Sequence, residues 1–198
     1  MRIIFATGNQ HKMKEIREIL GGTGIEIQSM KDAGIEIDIV EDGNTFEENA
    51  LIKAKAVAQF TDDLVLADDS GLEIDALGGE PGIYSARYAG EDTSYSIKNQ
   101  LILERLEGVP DAERTARFVC AIAAVFPDKK NLVVRGTFEG QIGHLPGGEN
   151  GFGYDPIFYV PECGCTSSQM SPQEKNKRSH RGQALHRIRE ELERRELL

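Results

Sequence analysis

The chain has 198 residues, which suits one compact domain or a single two-lobed unit that buries its core without disulfides or a structural metal. Hydrophobic residues make up 39% and charged residues 28%, an ordinary globular mixture that argues against a disordered chain. A net charge of −10 disfavours a nucleic-acid-binding module, and apolar runs of only a few residues exclude a membrane span.

From the N-terminus, Met1 and Arg2 precede an apolar stretch, Ile3 to Ala6, too brief for a signal peptide and read as a buried strand. Met13, Ile16 and Leu20 then recur at helical spacing, and Gly21-Gly22 closes that helix. Ile25 and Ile27, then Ile35, Ile37 and Ile39, alternate as short strands. Asn44 reads as an N-cap with Glu47 three residues on, opening a helix with Phe46, Ala50, Ala54 and Val57 on one face. Leu64 to Ala67 is a strand that runs into a turn at Asp68-Asp69-Ser70-Gly71.

A glycine-rich loop covers 78–90, and a helix is expected from about Thr93 to Leu106. Arg117 to Phe126 and Leu132 to Ile142, joined through Pro127-Asp128-Lys129-Lys130, form the clearest hairpin. A second glycine-rich loop spans 143–153, and Leu185, Ile188 and Leu192 mark a C-terminal amphipathic helix. Helices mixed with strands and one long antiparallel hairpin argue for an α/β fold with a mixed sheet. The three cysteines, Cys120, Cys163 and Cys165, fit a reducing cytoplasm, and Cys163 with Cys165 are too few to close a zinc site alone.

Four segments carry candidate chemistry. Thr7-Gly8-Asn9-Gln10-His11-Lys12 lies between the first strand and first helix, where free N–H groups suit phosphate and the Lys12 ammonium adds charge. The plainer alternative is that Thr7 or Asn9 only caps the helix. Glu41 and Asp42 in one loop and Asp68 and Asp69 in another, both at expected strand ends, form a carboxylate cluster. Two carboxylates about 4 Å apart repel by roughly 4 kcal/mol at an effective dielectric of 20, so a proton, a lysine or a metal must intervene. Mg²⁺ is the natural metal, since it takes one or two carboxylates plus substrate phosphates.

Gly151-Phe152-Gly153-Tyr154-Asp155-Pro156 places aromatics between glycines, a pattern able to stack a planar base, although such rings are more often buried. Lys175 with Ser179-His180-Arg181-Gly182 clusters donors without carboxylates nearby in sequence, just before the final helix, or else forms a solvated helix start. The twenty-four C-terminal residues carry eight Lys or Arg against four Glu, so a basic tail follows an acidic body.

Taken together and in order, these segments resemble the inosine triphosphate pyrophosphatase family. The resemblance runs from Ile4 to Leu185 and rests on T-G-N-x-x-K at 7–12, E-D-G-N-T-F-E-E-N-A-x-x-K-A at 41–54 and A-D-D-S-G-L at 67–72. G-G-x-P-G-I-Y-S-A-R-Y at 78–88, G-F-G-Y-D-P-I-F at 151–158 and S-H-R-G-Q-A-L at 179–185 complete it. It implies an elongated mixed sheet flanked by helices, two lobes with a central cleft, and a cytoplasmic homodimer. It also implies Mg²⁺-dependent hydrolysis of ITP, dITP and XTP to the monophosphate and pyrophosphate.

Carried over by position, phosphate binding falls on Thr7, Gly8, Asn9 and Lys12, the metal-binding acid on Glu41, and the water-activating acid on Asp69, which shares the metal. Asp68 is a supporting carboxylate counted among the metal-binding acids, and Ser70 a substrate contact. Phe152, Gly153, Tyr154 and Asp155 match the base- and sugar-side loop, and Lys175, His180 and Arg181 the readers of the purine edge. Hypoxanthine and xanthine carry an acceptor oxygen where adenine carries an amino donor, so donors there would reject adenine by roughly 10⁴–10⁵. Two rivals remain: a related pyrophosphatase of the Maf type, acting on pyrimidine or methylated nucleotides, and a sensor that binds nucleotide without turnover. A partner-binding domain would leave the glycine-rich loops unexplained.

Overall fold

The computed structural model describes residues 2–21 and 24–197; Met1 and Gly22 lie outside the described residues. Seven strands, β1 (Arg2–Phe5), β2 (Glu26–Ser29), β3 (Leu64–Ile74), β4 (Thr115–Val125), β5 (Asn131–Ile142), β6 (Phe158–Val160) and β7 (Cys165–Thr166), form one sheet. Their order is β2-β1-β3-β4-β5-β6-β7. β1 pairs parallel with β2 and β3, whereas β6 pairs antiparallel with β5 and β7, so the sheet is mixed as expected. Among the described residues five α-helices accompany it: α1 (Gln10–Leu20), α2 (Phe46–Val57), α3 (Tyr95–Arg105), α4 (Pro172–Arg178) and α5 (His180–Arg194). No helix among the described residues is long and apolar enough to cross a membrane.

The chain divides into two compact units. The first comprises the residues up to Asp69, Cys120–Gly136 and those from His180 onward; the second is Ser70–Val119 with Thr137–Ser179. In the first, Met13, Ile16 and Leu20 of α1 and Leu185, Ile188 and Leu192 of α5 are buried with Ile3, Phe5, Leu66 and Ile122. In the second, Leu72, Ile74, Ile102, Phe118, Phe138 and Phe158 form the core. Each such side chain contributes about 1.5–3 kcal/mol when fully buried.

Three sequence expectations give way. The segment Ile35–Ile39 alternates inward and outward but joins no strand of the sheet among the described residues. The N-cap of α2 is Thr45 rather than Asn44: its hydroxyl accepts from the Glu48 N–H at 3.1 Å, and the Glu48 carboxylate accepts from the Asn44 N–H at 2.7 Å. The side-chain cap is displaced by one residue from the expected position, and Glu48 reaches back to the residue before the cap instead of closing a capping box on the Thr45 N–H. Most consequentially, Asp68-Asp69-Ser70-Gly71 is not a turn. β3 runs straight through it, and the pair of carboxylates sits in mid-strand. In the loop after β3, Tyr84 is 57% exposed, whereas Tyr88 is half-buried and accepts a hydrogen bond from Arg105 at 3.0 Å.

Candidate active site

In the first unit, β1 leads through Thr7 and Gly8 into α1. The Asn9 side chain caps that helix, accepting from the N–H groups of His11 at 2.9 Å and Lys12 at 3.2 Å. The Thr7 hydroxyl accepts from the Asn9 N–H at 3.1 Å, so the capping role is real for both residues. Around Gly8 the space is open: a Cβ there would meet nothing within 4 Å. Lys12, in the first turn, reaches back to β3, where its ammonium lies 2.9 Å from Asp68 Oδ2.

Successive residues of a strand face opposite sides of the sheet, so Asp68 and Asp69 meet different helices. Asp68, with no exposed side-chain surface, faces Lys12 and the Arg181 guanidinium, whose Nη2 lies 3.5 Å away. Glu15, one turn beyond Lys12 on α1, bonds Arg181 Nη1 and holds it in place. Burial opposes ionisation of Asp68, but Lys12, Arg181 and Lys53 outweigh it and hold its carboxyl well below the usual range. Burial likewise works against the charge on Arg181, which Asp68 and Glu15 restore. These cations are why two adjacent aspartates stay in the strand instead of breaking it.

Asp69 faces α2. Its Oδ1 lies 3.4 Å from the Lys53 ammonium, and its Oδ2 accepts from Asn49 Nδ2 at 3.3 Å. The same ammonium lies 2.8 Å from Glu41 Oε2. Glu41 and Asp69, twenty-eight positions apart in sequence, thus converge on one cation. Burial raises the Asp69 pKa; Lys53 opposes this, and the negative charge of Glu41 adds to it. Asn49 also anchors the acidic loop, its Oδ1 accepting from the Gly43 N–H at 2.9 Å. A Cβ at Gly43 would lie 2.7 Å from that oxygen, so only glycine allows the approach.

Asn49, Lys53 and Glu15 held no role in the sequence reading. The signal available was helical spacing: Lys12 with Glu15, and Asn49 with Lys53, each one turn apart on a single face. Among the described residues, no three carboxylate, imidazole or thiol side chains surround a common point. Asp68 belongs with the cations, leaving Glu41 and Asp69 as the converging pair. At the start of α5, His180 and Arg181 are buried, and Gly136 of β5 allows the close approach: a Cβ there would lie 2.2 Å from the His180 carbonyl oxygen. Ser70 is half-buried on β3, at the start of the second unit.

In the second unit, residues 151–155 form a closed knot. Asp155 Oδ2 accepts from the Phe152 N–H at 2.8 Å and from the Lys175 ammonium at 2.6 Å, while Oδ1 accepts from the Ser167 hydroxyl at 2.7 Å. Gly151 adopts a φ of +77°, and a Cβ there would lie 2.3 Å from Asp155 Oδ2. Tyr154 is buried, donating its hydroxyl to the Ser85 carbonyl at 2.7 Å, and so anchors the loop. Phe152 is the aromatic left partly open, its ring centre 5.4 Å from Lys175 Nζ. The carboxylates missing from the neighbourhood of Lys175 and Arg181 in sequence are supplied in space: Asp155 for the one, Glu15 and Asp68 for the other.

The fold and its charged residues define a mixed-sheet α/β protein with carboxylates and lysines gathered where β1, β3 and α2 meet a helix N-terminus. Residues 3–191 match the Ham1 family, and the chain belongs to it. It is 49% identical over 188 residues to the dITP/XTP pyrophosphatase of Exiguobacterium sibiricum, covering 95% of each chain. The enzyme of the same name from Bacillus subtilis is 47% identical over 190 residues, with 96% of each covered. Among solved structures, a HAM1 protein from Coxiella burnetii superposes with a TM-score of 0.89 at 43% identity, covering 98% of this chain and 99% of that one. The Staphylococcus aureus Ham1 protein gives 0.88 at 42% identity, with 98% of each covered.

Proposed function

We propose that this protein is a nucleoside triphosphate pyrophosphatase, converting ITP, dITP and XTP to the monophosphate and pyrophosphate. The names of its relatives support the reaction class and the purine substrates. The observation that carries the reading is the convergence of Glu41 and Asp69 on the Lys53 ammonium. A pair of acids already sharing one cation, with the pKa of one raised by burial and mutual repulsion, fits a divalent ion such as Mg²⁺. Glu41 and Asp69 would hold that ion, which would supply charge neutralisation of the phosphate oxygens.

The chain's own groups account for the rest. Asp69, its affinity for a proton raised, takes one from the attacking water as the oxygen bonds to the α-phosphorus. The bond from that phosphorus to the bridging oxygen breaks, and pyrophosphate leaves with the electron pair. Lys12 and Lys53 offset the charge of the triphosphate, and Gly8 lets it approach the backbone at the start of α1. For the base, Phe152 offers a partly exposed ring, and donors from Lys175 and from the buried start of α5 at His180 and Arg181 favour a 6-oxo group over a 6-amino group.

The test is Asp69→Asn, followed by pyrophosphate release from ITP with Mg²⁺ supplied and by calorimetric titration with a non-hydrolysable ITP analogue. Turnover should fall at least 10²-fold, about what a general base contributes, while the analogue still binds. Normal turnover in that variant removes Asp69 from the chemistry.

A further inference from the structure

Helix α3 carries no role in the proposed reaction, yet one of its faces grips the base-side loop. Tyr95, Lys98 and Asn99 stand at positions i, i+3 and i+4 and share that face. The Tyr95 ring meets the Tyr154 ring edge-on, with centroids 5.2 Å apart at 90°. The Lys98 ammonium donates to the Ala86 carbonyl and lies 4.9 Å from the centre of the Tyr95 ring. Asn99, only 5% exposed, donates from Nδ2 to the Gly153 carbonyl at 3.2 Å. On its other side the loop is tied by the Tyr154 hydroxyl to the Ser85 carbonyl, and the Ser85 hydroxyl in turn accepts from the Leu72 N–H at 2.8 Å and donates to the Gly82 carbonyl at 2.6 Å.

The peptide joining Gly153 to Tyr154 is planar, with its carbonyl and N–H pointing in opposite directions. Holding the Gly153 carbonyl on α3 therefore aims the Tyr154 N–H away from α3. Among the described residues that N–H has no hydrogen-bond acceptor. Gly153 sits at a φ of +71°, which a glycine takes at little cost and which sets the peptide in this orientation. A buried amide that holds a backbone carbonyl is an orienting device; a merely space-filling position would carry an apolar side chain.

We propose that Asn99 is a positioning residue for base selection: by gripping the Gly153 carbonyl it aims the Tyr154 N–H at an acceptor atom of a 6-oxopurine. The inference rests on the reading of residues 151–155 as the base-side loop.

The experiment compares kcat and KM for ITP and ATP in wild type, Asn99→Asp, Asn99→Leu and Asn99→Gln. Each variant is first checked for a native melting transition. Asn99→Asp keeps the shape and loses the donor. It and Asn99→Leu should raise KM for ITP roughly tenfold, leave kcat within about threefold and narrow the ITP-to-ATP ratio of kcat/KM about tenfold. Asn99→Gln, which keeps the amide donor, should recover part of that ratio. An unchanged ratio in a folded variant, or equal losses for both nucleotides, overturns the assignment. Phe152→Ala separates the two levels. If it leaves KM for ITP untouched, the base-side reading fails and the inference with it. If it raises KM while the Asn99 variants keep the wild-type ratio, only the inference falls.

Discussion

In the first unit, ionisable groups are gathered in competing sets: Lys12 and Arg181 share Asp68, while Glu41 and Asp69 share Lys53. In the second, Asp155 has its oxygens committed to Phe152, Lys175 and Ser167, and the loop around it is locked by glycines and buried rings. Shared partners can be exchanged. Lys53 can give up either acid to an incoming cation without leaving a bare charge, and the acids can accept the exchange. The locked loop has no such freedom, and its contribution is shape. On the proposed reading, charge that a triphosphate must rearrange is kept where pairs are redundant, and the shape of the base-side loop is kept by side chains that are already committed.

The largest effect that probes this contrast is expected from Asp68→Asn. Removing the buried carboxylate takes an anionic partner from both Lys12 and Arg181, a loss of about 3–5 kcal/mol by comparison with other broken buried pairs. At roughly 2–4 °C per kcal/mol for a chain of this size, the melting temperature near pH 7 should drop by about 10 °C. The sign of its pH dependence is fixed. The folded carboxyl is held well below its ordinary value, so its contribution is full above the unfolded pKa of about 3.9 and fades as pH falls toward the folded pKa. The gap between wild type and Asp68→Asn should therefore shrink below pH 4. A gap that is small near neutrality, or that widens in acid, would mean Asp68 is not the centre of that charge set.

A smaller effect contrasts two glycines. A Cβ at Gly151 would lie 2.3 Å from Asp155 Oδ2 and 3.1 Å from Lys175 Nζ, at a φ that costs an L residue about 1–2 kcal/mol. Gly8 has open space around it. Gly151→Ala should thus lower stability by about 1–3 kcal/mol and raise KM for ITP several-fold through displacement of Asp155. Gly8→Ala should leave the melting temperature within a degree or two and weaken only the affinity for triphosphate. Equal destabilisation by both substitutions would erase the distinction between an open phosphate approach and a closed base-side knot.

How far the sequence reached can be judged from particular residues. The apolar faces of α1, α2 and α5 were legible because burial of Met13, Ala50 or Ile188 follows from local periodicity. Asp68-Asp69-Ser70-Gly71 was not, since local chemistry favours a turn there and what overrides it are cations from α1, α2 and α5, distant in sequence. Ile35–Ile39 failed for the converse reason: alternation records which side faces the protein, but a strand also needs a neighbour. Within the candidate site, Glu41, Asp69 and Lys12 were recoverable as residue types suited to phosphate and metal. Their partners Lys53, Asn49 and Glu15 are defined by contact, which spacing alone hinted at. Tyr154 and Asp155 illustrate the limit most clearly, because a buried hydroxyl and a carboxylate with each oxygen taken hold the loop in shape, leaving Phe152 as the partly exposed ring.

The three thiols allow the two units to be followed separately. Cys120 is fully buried in the first, and burial together with the charge of Asp68 pushes its pKa up to about 12. Cys163 is exposed and Cys165 partly so, both in the second. At pH 8 a thiol reagent should modify Cys163 first, Cys165 more slowly, and Cys120 only after unfolding. Cys120 also makes a distinct contribution in alkali. The folded chain keeps its proton to about pH 12 while the unfolded chain loses it at about 8.5, so the unfolded state binds fewer protons and stability falls as pH rises. The loss should approach about 1.4 kcal/mol per pH unit between those limits and vanish near neutrality, where both states keep the proton. Cys120→Ala should remove that part of the slope, whereas Cys163→Ser should leave it intact. Rapid labelling of Cys120 in the native protein would mean that the charge set beside it opens far more readily than its burial implies.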